Sequence, residues 1–145
     1  MTDDEVDAFL QGRHVVNIAT HSPGGEIHLV AMWYGSMNGH LAFETFTKSQ
    51  KVKNLRRDPR ITCLVEDGET YDELRGVEIV GEAVLHEDPA VVLALAMELM
   101  ARYYGVTDPA EARPLAEALA RKRTAIEVIP EKMVSWDHRK LEGTY

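Results

Sequence analysis

The most distinctive stretch of the chain is Thr47-Lys48-Ser49-Gln50-Lys51-Val52-Lys53-Asn54-Leu55-Arg56-Arg57-Asp58-Pro59-Arg60. Six of the sixteen Lys and Arg residues lie in it with a single acid, Asp58, although the whole protein of 145 residues carries a formal net charge of -8. A strand-like segment, residues 39–46, precedes the stretch, and Pro59 stops any helix that crosses it. The stretch therefore predicts a short helix that begins where a strand ends.

A helix at this place is suited to an anion. Its first turn presents unpaired backbone N–H groups and the positive end of the helix dipole. Ser49 and Gln50 add side-chain donors, and Lys51 lies three residues from Asn54, so an ammonium and an amide converge near the helix start. These features favour a phosphate as the ligand. The alternative is a solvated surface face, which is what most charge runs are.

The composition indicates one globular domain that covers residues 1–145. The hydrophobic fraction of 45% and the charged fraction of 28% are those of a soluble protein. No apolar run approaches the ~20 residues that a membrane-spanning helix requires. Residues 1–7 are acidic where a secretory signal would be basic and then apolar, so we expect a cytoplasmic protein without a membrane partner.

Several kinds of chemistry find no support in the sequence. Cys63 is the single cysteine, which excludes an internal disulfide and a cysteine-based zinc cluster. The six histidines do not have the spacing of metal ligands, so we expect no metal site. The net acidity argues against nucleic acid as the main partner. Neither a nucleophile elbow nor a glycine-rich nucleotide loop is present in the sequence.

Strands dominate the rest of the chain. Alternating or apolar runs predict strands at 14–20, 26–34, 41–46, 60–66, 74–86, 125–129 and 132–136. The dipeptide Asn38-Gly39 predicts a hairpin in which the third strand pairs back on the second. Helices are predicted from the capping box Thr2-x-x-Glu5 to Gly12, over 90–104, and from Pro109 to about residue 121. Strands in hairpin order with inserted helices predict an antiparallel barrel.

Four segments together resemble the split-barrel flavin and deazaflavin oxidoreductases, the superfamily of pyridoxamine 5'-phosphate oxidase. They are the second strand, the run 51–60, the strand around Gly81-Glu82-Ala83, and the closing segment 129–136. The chain looks most similar to the branch that uses the deazaflavin coenzyme F420. The resemblance implies a mainly β (α+β) fold, a six-stranded antiparallel split β-barrel with flanking helices. It also implies a homodimer with two cofactor sites at the interface.

The resemblance also implies which residues hold the cofactor. The phosphate would lie at the start of the helix after the third strand, supported by Asn54 and Arg57. The ring would lie along the second strand and near Thr45 and Phe46, and residues around Arg123 or Trp136 of the other subunit would close the groove. The implied cofactor-binding residues are His28, Val30, Ala31, Met32, Thr45, Ser49, Gln50, Lys51, Val52, Asn54 and Arg57.

The implied function is hydride transfer from reduced F420 to a small unsaturated or planar organic molecule. An FMN-dependent oxidoreductase on the same fold is one alternative. The other is a non-catalytic flavin or deazaflavin carrier or sensor, because the sequence requires binding but shows no catalytic group. Tyr34 and His28 are candidate proton donors by chemistry alone, and no catalytic residue is assigned.

Overall fold

A computed structural model describes residues 1–141, so the last four residues of the predicted domain lie outside the described part. Seven strands form one antiparallel sheet in the order β2-β1-β5-β6-β7-β4-β3. The strands are β1 Val16–His21, β2 Ile27–Met32, β3 Gly35–Met37, β4 His40–Phe46, β5 Arg60–Asp67, β6 Arg75–His86 and β7 Arg123–Asp137. The helices are α1 Asp3–Leu10, α2 Gln50–Arg57, α3 Pro89–Leu99 and α4 Pro109–Ala120, with a π-helical turn at Met100–Tyr104.

The sheet curls until its two edges meet. The edge strands β2 and β3 are consecutive in the chain and are separated only by Trp33 and Tyr34. Because so short a connection reaches only ~10 Å, the two edges must lie side by side. Fully buried side chains such as Ile18, Phe43 and Ile126 fill the interior. The structure confirms the predicted split barrel with flanking helices.

The connection between the edge strands corrects one predicted pairing. The predicted second strand, 26–34, ends at Met32, and the chain then crosses to the other edge of the sheet. The Asn38-Gly39 hairpin is confirmed, with φ values of 53° and 83°, but it joins β4 to the short strand β3. The prediction that the third strand pairs back on the second was wrong, because β2 pairs with β1 and β4 pairs with β3 and β7.

The last two predicted strands, 125–129 and 132–136, form one continuous strand, β7. Pro130 does not end it, because the register of β6 and β7 shifts between Val80 and Gly81, and Pro130 pairs with Gly81. Such a bulge tolerates a proline that cannot donate a ladder hydrogen bond. A Cβ atom on Gly81 would collide with the carbonyl oxygen of Ile129. This merger removes one of the seven predicted strands, and the short strand β3, which was not predicted, restores the count to seven, whereas the resemblance implied six.

Helices α1 and α2 contribute side chains to the barrel core, and α3 packs beside the sheet. The capping box at Thr2 and Glu5 is confirmed, and α1 ends at Leu10. Helices α3 and α4 pack against each other, and α3 packs on β3, β4 and β7. The predicted helix 90–104 is α3 followed by the π-helical turn, and Gly105 in the left-handed conformation ends it at φ 71°.

The described residues contain no single helix that is both long and apolar enough to cross a membrane. Only the segments Pro89–Tyr104 and Pro109–Ala120, taken as one pair bent by 112°, meet the criterion of length and composition.

Candidate functional site

The first turn of α2 begins directly after β4 and is open to an anion. Ser49 is its N-cap, and no side chain caps the helix start. The Lys53 amide donates to the Ser49 carbonyl at 3.2 Å, so the amides of Gln50, Lys51 and Val52 precede the first intrahelical bond. Those amides and the Ser49 hydroxyl are the donors that a phosphate requires.

Lys51 is the one charged residue of α2 that is buried, with 8% of its surface exposed. Its Nζ donates to Thr45 Oγ1 at 2.9 Å. Burial, and then the charge of Arg123, lower the pKa of Lys51. An ammonium has three protons to donate, and no acidic partner of Lys51 is found among residues 1–141. The position therefore favours an anionic ligand.

Asn54 and the Gln50 side chain hold α2 in place. Asn54 is fully buried and its Nδ2 donates to Thr20 Oγ1 on β1 at 3.0 Å. Its Oδ1 accepts from Gln50 Nε2 at 2.9 Å. The Val52 side chain is also fully buried, in the barrel core. These buried side chains anchor the first turn of α2 to the barrel. Because the Val52 side chain is buried in the core, only its backbone amide is available to a ligand.

Arg57 lies in the last turn of α2, and the structure does not bring it to the first turn. Its guanidinium donates to the carbonyl oxygen of His21. It therefore joins the end of α2 to the end of β1. Arg56 beside it pairs with Glu87. Both side chains are exposed.

Strand β2 supplies the other predicted residues and is an edge of the sheet. Along it His28, Val30 and Met32 are half-buried, and the last two pack on the core. Ala31 alternates with them and is exposed. Because β2 pairs only with β1, one row of its backbone groups has no strand partner among the described residues. A planar ligand can bond to that row.

A cavity of about 380 Å³ lies where β2 ends. Its lining residues are Val15, Ala31, Met32, Trp33, Glu44, Leu99, Leu119 and Arg123. A second groove of about 540 Å³, beside Phe46, shares Leu119 and Arg123 with it. The walls are mainly apolar, and the charged lining groups are Glu44 and Arg123. A volume in this range suits a small planar molecule.

Glu44 is the residue of this site that the sequence analysis missed. Its surface is 2% exposed and neither carboxyl oxygen has a hydrogen-bond partner in the described structure. Arg123 Nε lies 3.8 Å from Oε1, within ion-pair distance, and also lacks a hydrogen-bond partner. Burial raises the pKa of Glu44 to about 7, against the charge of Arg123, which lowers it. Near neutral pH the side chain can therefore hold or release a proton.

Arg123 connects the cavity to the first turn of α2. It lies on β7 opposite Phe46 and stacks over that ring, with Cζ 4.5 Å from the centroid. Its charge also acts on Lys51. Arg123 therefore lines the cavity within its own chain, whereas the resemblance implied that this residue closes the groove of the other subunit. Trp136, by contrast, lies over Gly76 on the paired strand β6 and is not among the cavity-lining residues.

The two candidate proton donors do not line the cavity. Tyr34 is buried, its Oη has no partner in the described structure, and burial raises its pKa. Arg102 covers the ring at 5.0 Å. His28 lies opposite Thr20 on β1. Position thus favours Glu44 over both as the titrating group of the cavity.

A second buried carboxyl, Glu127, lies outside the cavity. It accepts from Asn38 Nδ2 at 3.2 Å and lies 2.8 Å from His40 Nδ1 and 2.9 Å from His86 Nε2. Burial acts to raise its pKa, but the hydrogen bonds from His40, Asn38 and His86 outweigh burial and lower it. This carboxylate is satisfied and joins β4, β6 and β7. Residues 1–141 contain no group of three or more His, Cys, Asp or Glu suited to a metal ion.

A curled antiparallel barrel with flanking helices, an uncapped helix start after β4 and a mainly apolar cavity at the end of β2 defines a split-barrel protein. Residues 2–137 match the family model described as pyridoxamine 5'-phosphate oxidase, and the chain belongs to that family. An oxidoreductase-type function with a flavin or related cofactor is therefore supported.

Solved structures agree with this membership. The conserved hypothetical protein Rv2991 from Mycobacterium tuberculosis is 40% identical, with a TM-score of 0.92 over 100% of this chain and 90% of its own. An F420 reductase is 26% identical, with a TM-score of 0.67 over 88% of this chain and 94% of its own. The heme storage protein HutZ from Vibrio cholerae shares the fold at 13% identity, with a TM-score of 0.70 over 93% of each chain. No match was found among the curated proteins.

Proposed function

We propose that this protein binds coenzyme F420 and, with the coenzyme reduced, transfers a hydride to a small unsaturated or planar organic molecule. The observation that carries the proposal is the buried Lys51. Its ammonium lacks an acidic partner among the described residues and donates to Thr45 Oγ1, which lies 3.4 Å from the hydroxyl of the N-cap Ser49. Burying a cation without a counterion is costly, so such a position is best explained by an anionic ligand.

The first turn of α2 fits the phosphate of such a cofactor. Lys51 would supply the charge, and the Ser49 hydroxyl with the amides of Gln50 and Val52 would supply hydrogen bonds. Thr45 Oγ1, which now accepts from Lys51, orients the ammonium. FMN carries a phosphate too, so this part of the site accepts either cofactor.

The cavity fits the ring. It lies between the edge strand β2 and the side chains of Glu44 and Arg123, and its walls are mainly apolar. The cofactor supplies the hydride chemistry, and the protein supplies orientation, a dry environment and anion binding. The similarity to an F420 reductase favours the deazaflavin over FMN.

We further propose that the protein is a homodimer. Ile27 and Leu29 on β2 are 56% and 66% exposed, and Trp33 beyond the strand end is 39% exposed. An edge strand with exposed apolar side chains invites pairing or coverage by another chain. A second copy that covers β2 would also enclose the neighbouring cavity.

The proposed function is tested by titrating the purified protein with F420 and with FMN, following cofactor fluorescence. Lys51→Ala is expected to weaken F420 binding at least tenfold, since charge-assisted bonds to a phosphate are worth ~1.5–3 kcal/mol. Lys53→Ala, which changes an exposed lysine of the same helix, is the control and should bind as the wild type does. Equal affinities for wild type and Lys51→Ala would contradict the site.

Turnover separates an enzyme from a carrier. Reduced F420 with cyclohexenone as acceptor is expected to be oxidised in the presence of the protein, as seen in the cofactor absorbance. Tight binding without oxidation for any of a panel of unsaturated acceptors would identify a carrier or sensor. Tighter binding of FMN than of F420 would identify the flavin enzyme instead.

A further inference from the structure

The cavity contains two polar groups that nothing in the described structure satisfies. Both carboxyl oxygens of Glu44 and the Nε–H of Arg123 lack hydrogen-bond partners, although nearly all buried polar groups in proteins have one. The two side chains lie 3.8 Å apart, beyond a hydrogen bond but within an ion pair. Both side chains line the same cavity. Their unsatisfied atoms are shielded from solvent, so one ligand reaches both once the side chains turn toward it.

The chemistry of this pair specifies the ligand group. Arg123 Nε–H is a donor and requires an acceptor. A neutral carboxyl group offers one O–H donor and one carbonyl acceptor side by side. The complementary group has a carbonyl oxygen next to an N–H, which is the edge of an amide or an imide. A carbonyl oxygen has two lone pairs, so it can accept from Glu44 and from Arg123 together.

We propose that Glu44 and Arg123 form a recognition site for an amide or imide edge, with Glu44 as the neutral carboxyl that pairs with the C=O and N–H of the ligand. This inference rests on the proposed function, under which the edge is that of the pyrimidinedione in the deazaflavin ring. Glu44 would then orient the ring, while Lys51 holds the phosphate independently.

The neutral form of Glu44 is the binding form. When Glu44 is ionised, it has no O–H to donate a hydrogen bond to the ligand carbonyl. Binding therefore takes up a proton at any pH where the carboxyl of the free protein is ionised. Arg123 on β7 is the charged group that faces Glu44, and Lys51 on α2 lies beyond Arg123. The neighbouring elements present only uncharged lining residues, which are Val15, Ala31, Met32, Trp33, Leu99 and Leu119. Affinity should therefore fall as the pH rises above about 7, where the carboxyl ionises.

The test uses 8-hydroxy-5-deazariboflavin, which has the imide edge but lacks the phosphate, and its N3-methyl derivative. For the wild type we expect the unmethylated compound to bind more tightly and to take up protons above pH 7, measured by calorimetry in buffers of different ionisation enthalpy. Glu44→Gln keeps a donor and an acceptor, so it should bind the compound without proton uptake. Glu44→Leu should bind about tenfold more weakly, the loss expected for one net hydrogen bond, and should not distinguish the two compounds.

The control is Glu82→Gln, an exposed carboxylate on β6, which should behave as the wild type does. Wild-type binding without proton uptake, or equal affinity of Glu44→Leu and wild type, would overturn the inference. Failure of the proposed function looks different. In that case the Lys51→Ala substitution leaves F420 affinity unchanged, regardless of how the Glu44 variants change the affinity for the phosphate-free compound.

Discussion

At the scale of single residues, two buried charged side chains mark the site. Glu44 on β4 has no hydrogen-bond partner for either oxygen, and Lys51 on α2 has one neutral partner, Thr45. Buried ionisable groups without good hydrogen bonds lower stability, and natural proteins keep them where function requires them. Both residues are therefore candidates for ligand binding.

Glu44 should make the stability of the free protein depend on pH. Its pKa is raised from 4.5 to about 7, so the folded state binds the proton more tightly than the unfolded state does. Stability from this group is full below pH 4.5 and is lost as the pH rises to 7. Relative to wild type, Glu44→Gln should therefore gain unfolding free energy over that interval, by about 3 kcal/mol at most.

Urea unfolding at a series of pH values measures this difference. Subtracting the two proteins cancels the contributions of the other carboxylates, whose pKa values are lowered and whose effect has the opposite sign. A difference that is constant from pH 4.5 to 8 would show that Glu44 is ionised throughout or has a partner.

Asn54 is expected to act on stability. Asn54→Ala removes the hydrogen bonds to Thr20 and Gln50 and leaves the buried Thr20 hydroxyl unpaired, which should cost about 2 kcal/mol of unfolding free energy. The exposed neighbour Lys53 gives the control, since Lys53→Ala should change stability by less than ~0.5 kcal/mol. Urea denaturation of both variants provides the comparison, and equal midpoints would contradict this role for Asn54.

The sequence was informative about Lys51 and silent about Glu44, for a physical reason. A dense basic run is visible without a structure, and so is an asparagine inside a helix. Glu44 reads as the polar position of an ordinary strand that faces water. Residues 41–45 of β4 are in fact all buried, because α3 covers the outer face of the strand. Only the tertiary structure reveals that cover.

At the scale of elements, the two longest strands, β6 and β7, form the most extensive strand pair of the barrel. Its bulge at Gly81 lets Pro130 lie within a 15-residue strand, and the sequence analysis took that proline for a break. Alternation predicted most strands, and Asn38-Gly39 predicted its turn. Pairing between distant strands was less predictable, because it depends on where the sheet curls.

Replacing Gly81 should lower the unfolding free energy by disturbing the pairing of β6 and β7. Gly81→Ala places a Cβ against the Ile129 carbonyl, and since backbone cannot yield as a side chain does, we expect a loss of about 3 kcal/mol or more. Gly39→Ala is the matched control, because Gly39 has φ 83° but open space around it and should cost only ~1 kcal/mol. Thermal and urea unfolding distinguish the two, and similar losses would mean that the bulge relaxes.

At the scale of the whole molecule, the apolar edge strand β2 predicts an assembly. Leu29→Lys should convert the proposed homodimer to a monomer, because a charge would replace the most exposed apolar side chain of β2. Light scattering after size-exclusion chromatography measures the mass. Leu115→Lys changes an exposed leucine on α4 and should remain dimeric. A dimeric Leu29→Lys protein would place the interface elsewhere.

The join between β2 and β3 also limits how the barrel can move. Only Trp33 and Tyr34 cross this seam, and Tyr103 pins it by bonding to the backbone of Tyr34 and to the carbonyl of His14. This covalent link is two residues long, so the end of β2 and the start of β3 stay close together. At this link the indole of Trp33 is stacked on Tyr103 and forms part of the cavity wall. The short connection therefore fixes the position of one wall of the cavity as well as the closure of the barrel.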